Sequence, residues 1–273
     1  MRLCFKLNKF LFLYCLAESF LVGCNMEKDF EVALPVLPSQ LVAECYLEPG
    51  EPYRLTLTES TAYLADPEPE LVDDALVIIT YNGIPDTLHL APYFDQARQK
   101  IYTHVSKTPM RGKPGDVYTL HVTDKKGRQL TGTTTVQDAV PIDTIETKYN
   151  QEGKAYLLVK FKDSKAATNF YYFSVHKDSL NTDDEVAYTT DDALNNGELF
   201  ALGTGYDFSK SDTAIVSLYH LEKPYFDFMN SVQDARNANG NPFAQPAGIR
   251  STIQGGLGVF TALSYDRKIF ILK

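Results

Sequence analysis

The residue whose type and setting most clearly prescribe a reaction is Cys24. It follows Leu21-Val22-Gly23 at the end of an apolar run from Phe10 to Val22, and Arg2, Lys6 and Lys9 precede that run. A positive head, a short apolar stretch and a small-residue exit make a secretory leader. The run is shorter than the roughly 20 apolar residues that a bilayer requires, and Glu18 interrupts it. Leu21, Val22 and Gly23 before the Cys24 thiol match a bacterial lipobox. The thiol forms a thioether to diacylglycerol, and small neighbours admit the peptidase to the Gly23–Cys24 bond. Residues 1–23 are therefore read as a signal peptide and Cys24 as the lipidated N-terminus, carrying acyl chains such as palmitate. Two or more chains anchor a protein stably without a membrane helix. Residues 24–35 form the tether, and its acid-rich Asn25–Glu31 stretch resembles a surface-export signal. The expected location is the outer membrane, lipid-anchored at the cell surface, with a periplasm-facing body as the alternative.

Other chemistry-bearing residues are scattered. His89, His104, His121, His176 and His220 show no two-histidine zinc spacing and no accompanying thiolate pair. There is no Gly-x-Ser-x-Gly elbow and no Ser-x-x-Lys nucleophile. Gly255–Phe260 lacks the lysine of a phosphate-binding loop and does not open a helix. Asp192–Gly197 has the outline of a calcium loop, but Leu194 takes the third ligand place and Gly203 stands where a bidentate acid belongs. These readings predict a protein that is not an enzyme and has no cofactor and no metal. Cys45 is the one thiol left in the body, which excludes an intramolecular disulfide there, and its strand-like setting predicts a small buried hydrophobe. Asp86-Thr87, Asp143-Thr144, Asp178-Ser179 and Asp212-Thr213, each followed by an apolar residue, resemble an O-glycosylation acceptor motif of Bacteroidota; the candidate acceptors are Thr87, Thr144, Ser179 and Thr213. Seventeen tyrosines without a tryptophan would suit a sugar or peptide groove, or simply pack and cap sheets.

The formal net charge of −9 grows more negative once the leader removes three cations and one anion. Such a body repels phosphate backbones, which excludes nucleic acid as a partner, and it offers no basic patch to anionic lipid. The elements that must position the rest read as strands. Tyr53–Thr58 and Tyr118–Thr123 alternate apolar and polar residues, and Ala75–Tyr81 runs into Asn82-Gly83, a strong hairpin signal. Asp124–Gly127 marks a second hairpin turn, and Gln129–Gln137 suits an edge strand. Beyond Asp138-Ala139-Val140-Pro141, strands are expected at 142–149, 155–162, 169–177, 199–202 and 213–221, with an acidic surface loop over 182–198. Pro224 opens a helix over 224–238 in which Tyr225, Phe228, Met229, Val232 and Ala235 share one face, so Met229 and Val232 are expected to be buried. The predicted fold is all-β with one amphipathic helix: two antiparallel β-sandwich domains of immunoglobulin or transthyretin type, over 36–138 and 139–273.

The second half carries Lys223-Pro224-Tyr225-Phe226-Asp227-Phe228, then Asn241-Pro242-Phe243-Ala244-Gln245-Pro246, then Ile253-Gln254-Gly255-Gly256-Leu257-Gly258-Val259-Phe260. With the lipobox and the early Leu41-Val42-Ala43-Glu44 strand, the chain resembles an uncharacterised Bacteroidota outer-membrane lipoprotein family, domain of unknown function four-two-four-nine. Ser251-Thr252-Ile253 departs from the Ser-Asn-Ile typical of that family. The resemblance implies no catalytic residues. It implies an accessory role beside a TonB-dependent outer-membrane barrel, aiding nutrient capture or import, with the membrane reached through the N-terminal lipid and the ligand unknown. Two other classes compete: a fimbrillin-like structural or adhesive subunit, which polymerises by strand insertion, and an envelope hydrolase with a dispersed site. The 182–198 and 241–253 segments are the expected binding surface, because sandwich strands commit their side chains to packing.

Overall fold

Side chains alternate between core and solvent along almost every segment of the computed structural model, which describes residues 38–61, 70–239 and 247–273. The lipobox Leu21-Val22-Gly23-Cys24, the signal peptide, the 24–35 tether and the Asn241–Pro246 motif lie outside the described residues. The described residues are mostly β-strand, with one long helix. The first run comprises β1 (Leu41–Leu47), β2 (Pro52–Glu59), β3 (Glu70–Leu71), β4 (Leu76–Tyr81), β5 (Ile84–Asp95), β6 (Lys100–Pro109), β7 (Val117–Thr123) and β8 (Gln129–Thr135). The second comprises β9 (Thr144–Tyr149), β10 (Lys154–Lys162), β11 (Phe170–Lys177), β12 (Val186–Asp191), β13 (Leu199–Gly203), β14 (Phe208–Ser209) and β15 (Thr213–Leu221). Helix α1 (Lys223–Ala238), β16 (Ile253–Gln254), β17 (Leu257–Ala262) and β18 (Ser264–Ile271) complete the chain.

The largest sheet runs β16-β8-β7-β4-β5-β6-β2-β1-β17, with β3 on β2. Its two ends, β16 and β17, are joined only by Gly255-Gly256, so the sheet curls until its edges meet. Leu41, Ala43, Cys45 and Leu47 of β1 face Leu55, Ile79, Tyr118, Leu120 and Phe260 in one core. Each buried Leu, Ile or Phe among them contributes about 1.5–3 kcal/mol of transfer free energy. Burial pushes the Cys45 thiol well above its usual pKa, so it is an inert core residue. At the Asn82-Gly83 turn both residues hold positive φ, 50° and 73°, as a two-residue hairpin requires. β8 is nearly an edge, meeting only the two residues of β16 on its far side.

The expected antiparallel pattern has one departure among the described ladders between named strands: β17 pairs with β1 in parallel, Gly258 opposite Ala43. The glycines make that closure sterically possible. A Cβ at Gly258 would stand 2.0 Å from the Ala43 carbonyl oxygen, and one at Gly255 2.2 Å from that of Gln129. Phe260 fills the space left by Gly132, where a Cβ would lie 3.0 Å from the ring. The 253–262 segment therefore packs into the first core, with Ile253, Phe260 and Ala262, although it follows the second run of strands in the chain.

The remaining strands make two sheets, β9-β10-β13/β14 and β12-β11-β15-β18, packed face to face. Leu157, Val159 and Phe161 meet Tyr171, Phe173, Val175, Val216 and Leu218. The 182–198 segment was expected to be a loop, yet it contains β12, paired along β11. β12 is a half-buried edge strand without a clean apolar–polar alternation, which is why its residues read as a loop. Helix α1 begins at Lys223 with Pro224 in its first turn and ends where Asn239 leaves helical dihedrals. The Glu222 carboxylate accepts from Thr134 Oγ1 (2.6 Å) and the Thr135 N–H (2.7 Å), tying the helix start to β8. Only Ser231 of the helix is fully buried, so Met229 and Val232 are half-exposed rather than buried.

Candidate binding cleft

The apolar side of α1 stays half-open because it roofs a cleft. Along β11, Tyr171, Phe173 and Val175 enter the second core, so Tyr172, Ser174 and His176 point outward. Strand register continues that outward face into rows. Tyr172 stands opposite Tyr219 of β15, and Tyr219 opposite Tyr265 of β18. The three rings form a ladder with centroids 5.6 and 5.1 Å apart. In the neighbouring row Ser174 faces Ser217, which faces Arg267. The Arg267 guanidinium donates to Ser217 Oγ (2.8 Å) and to the Tyr219 hydroxyl (2.9 Å), and stacks 4.6 Å over Tyr265.

The opposite wall is the outward side of β1 and its neighbours: Val42, Glu44 and Tyr46, then Arg54, Lys100 and Tyr102. Lys100 Nζ lies 4.1 Å over the Tyr46 ring and 3.5 Å from Glu44. Tyr46 meets Tyr225 of α1 edge-on at 6.1 Å. Two cavities of about 790 and 710 Å³ share Tyr46, Lys100, Tyr172, Asp184 and Tyr225. Each is within the range of small-molecule sites. The first is apolar toward Phe228, Met229 and Leu257; the second is polar toward Glu48, Arg98 and Arg267. Burial raises the pKa of Tyr46, Tyr172 and Tyr225, so these phenols stay protonated and able to donate at neutral pH. Arg98 bridges Glu48 (2.8 Å) and Asp95 (3.2 Å) at the polar rim.

Both segments expected to bind reach this cleft: Thr182-Asp183-Asp184 at the polar end, Ile249 and Ser251 at the apolar end. Of the histidines, His176 lines the cleft with Nε2 2.9 Å from Asp184. His104 is buried, with Nδ1 2.9 Å from Thr103 Oγ1. Among the described residues no three His, Cys, Asp or Glu side chains gather as a metal-binding group. Thr87 and Thr144 are exposed on strands, while Ser179 and Thr213 are half-exposed, and the Thr213 N–H donates to Asp178 Oδ1 (3.1 Å). The ladder residues Tyr172, Tyr219 and Tyr265 escape a linear reading because they are far apart in the chain. The available signal was the alternation within each strand, which places all three on the non-core side.

No curated protein matches the chain. A solved structure described as "Cytokine receptor complex - Crystal form 1A" aligns over 67% of this chain and 85% of that chain, at 10% identity and a TM-score of 0.27, too low to carry any argument about fold or function. The family model described as "Domain of unknown function (DUF4249)" matches residues 27–269, spanning the ladder, the helix and the glycine closure, and the chain belongs to that family.

Proposed function

We propose that this is a lipid-anchored, non-catalytic capture protein of the bacterial outer membrane, of Bacteroidota type, serving a TonB-dependent transporter. The observation that carries the reading is the tyrosine-lined cleft. Its walls offer stacking faces and fixed donors, from Tyr46, Tyr172, Tyr225 and Arg267, which suits retention of a solute rather than its conversion. The leader and lipobox supply the anchor at Cys24. No helix among the described residues is long and apolar enough to cross a membrane. A short tether confines the cleft near the membrane plane, so a modest interface with a barrel in the same leaflet suffices for partnership. The body is exposed at the cell surface, and Thr87, Thr144, Ser179 and Thr213 are its candidate glycan acceptors.

The chain has no tryptophan, so its emission comes from tyrosine, and Tyr46, Tyr172, Tyr219 and Tyr225 of the cleft contribute to it. Titration of the full chain with soluble oligosaccharides and peptides should give a saturable change that Tyr225→Ala abolishes. A flat response to every solute, or a saturable one that neither Tyr225→Ala nor Tyr219→Ala alters, would count against the cleft as the capture site.

A further inference from the structure

At one end of the second sandwich two loops lie side by side, residues 163–169 and 192–197. The Asp192 N–H donates to the Asn169 carbonyl (3.2 Å), and Asn196 Nδ2 to the Ala167 carbonyl (3.1 Å). Asp163 and Asp192 are 4% and 0% exposed. Their hydrogen-bond partners are all neutral: Asn169 between them, the Tyr171 hydroxyl on Asp163 Oδ1, and the Gly197 N–H on Asp163 Oδ2 (2.6 Å). Two carboxylates removed from water in this way call for a compensating positive charge.

Asn169 shows where that charge belongs. Four oxygens surround its Nδ2: Asp163 Oδ1 at 3.1 Å, Asp192 Oδ2 at 3.1 Å, the Ser164 carbonyl at 2.9 Å and the Ala167 carbonyl at 3.0 Å. An amide nitrogen has two protons and cannot serve four acceptors. At its other end, Asn169 Oδ1 lies 3.1 Å from His220 Nε2, while His220 Nδ1 lies 2.8 Å from the Asp138 carbonyl. A neutral imidazole has one N–H for these two acceptors. Turning the amide end for end, a choice that only the hydrogen-bond network decides, removes that mismatch. Nδ2 then donates to His220 Nε2, and Nδ1–H donates to Asp138. The same turn gathers Asn169 Oδ1 with the other four oxygens, an arrangement that a cation holds together. In an octahedral shell each ligand atom has four neighbours at about 1.4 times the metal–oxygen distance, roughly 2.8–3.0 Å for magnesium and roughly 3.2–3.7 Å for calcium, so the contacts of 2.9–3.1 Å about Nδ2 would open by a few tenths of an ångström around calcium. A separate observation points the same way: Asp192 Oδ1, on a fully buried side chain, has no hydrogen-bond partner.

We propose that Asp163, Asn169 and Asp192, with the carbonyls of Ser164 and Ala167, form a calcium site. Two carboxylates balance the charge of the ion, and the number of protein oxygens favours calcium over magnesium, which retains most of its water. Tyr171 and Gly197 hold the Asp163 carboxylate in place. The spacing of a single calcium loop fails on this chain because the ligands come from two loops, and three of the five are amide or carbonyl oxygens. The site stands apart from the cleft and does not depend on the function proposed for it.

The test is calcium binding by the full chain in detergent after chelator treatment. Calcium should raise the melting temperature by several degrees where magnesium at the same concentration does not, and terbium should give tyrosine-sensitised emission that calcium displaces. Asp192→Asn should weaken calcium binding about tenfold or more. Asn169→Asp keeps an oxygen ligand, so it should retain the calcium response while being less stable than wild type in chelator. A wild-type chain with no calcium shift and no terbium emission would overturn the site. So would an Asn169→Asp chain that is destabilised equally with and without calcium. A magnesium response equal to that of calcium would overturn the choice of ion.

Discussion

Gly258→Ala sets a methyl group 2.0 Å from the Ala43 carbonyl oxygen, at a residue whose φ is +119°. Because the obstacle is backbone, β17 must withdraw from β1. Two costs follow. An L side chain held at such a dihedral costs on the order of 1–3 kcal/mol. The parallel ladder between Val42–Leu47 and Leu257–Ala262 also loses hydrogen bonds worth about 0.5–1.5 kcal/mol each. With two bonds lost the variant should be less stable by about 2–6 kcal/mol, a large share of the roughly 5–15 kcal/mol that a domain possesses. Gly83→Ala is the control: its φ is +73° but no heavy atom lies within 4 Å of the new methyl, so it should lose only about 1–2 kcal/mol. Urea unfolding followed by circular dichroism separates the two, with a lower midpoint and an unchanged slope for Gly258→Ala. Equal midpoints for the two variants would refute the argument that close backbone approach at the closure demands glycine.

Met229→Ala should cost about 1 kcal/mol, below the 2–5 kcal/mol typical of a buried methionine, because the side chain is half-exposed over the cleft; a loss above about 3 kcal/mol on thermal unfolding would place it in a core. Cys24→Ser should abolish palmitate incorporation and release processed protein to soluble fractions, whereas labelled palmitate on that variant would move the anchor elsewhere. The Glu59 carboxyl is held well below its usual pKa, first by Arg128, then by Lys126 and Ser39. A depressed acid stabilises the fold above its unfolded pKa, and that stability fades as pH falls below about 4. Glu59→Gln should therefore be less stable than wild type at pH 7, with the gap closing in acid; a gap that persists undiminished at low pH would contradict the ion-pair account.

Local chemistry made much of the fold legible. β15 spans Thr213–Leu221 as its apolar run predicts, and Asn82-Gly83 makes the turn its residue types demand. Segments whose partners are distant were harder to read. β12 is a half-buried edge whose polar residues resemble a loop, and its identity as a strand comes from pairing with β11. Gly255, Gly256 and Gly258 suggest close approach, but not that the approach is to β8 and β1, more than a hundred residues earlier. The helical period correctly grouped Tyr225, Phe228, Met229 and Val232. It could not distinguish a face against the core from a face over a cleft, since both require apolar residues. Composition flagged the tyrosines, while the ladder exists only through the register of β11, β15 and β18.

Affinity purification of the full-length chain from gently solubilised native membranes tests the proposed function most directly. The account predicts that a TonB-dependent barrel co-purifies with the lipidated chain, and that intact cells expose the chain to external protease. A chain that is shielded on intact cells and recovered with no barrel would contradict it.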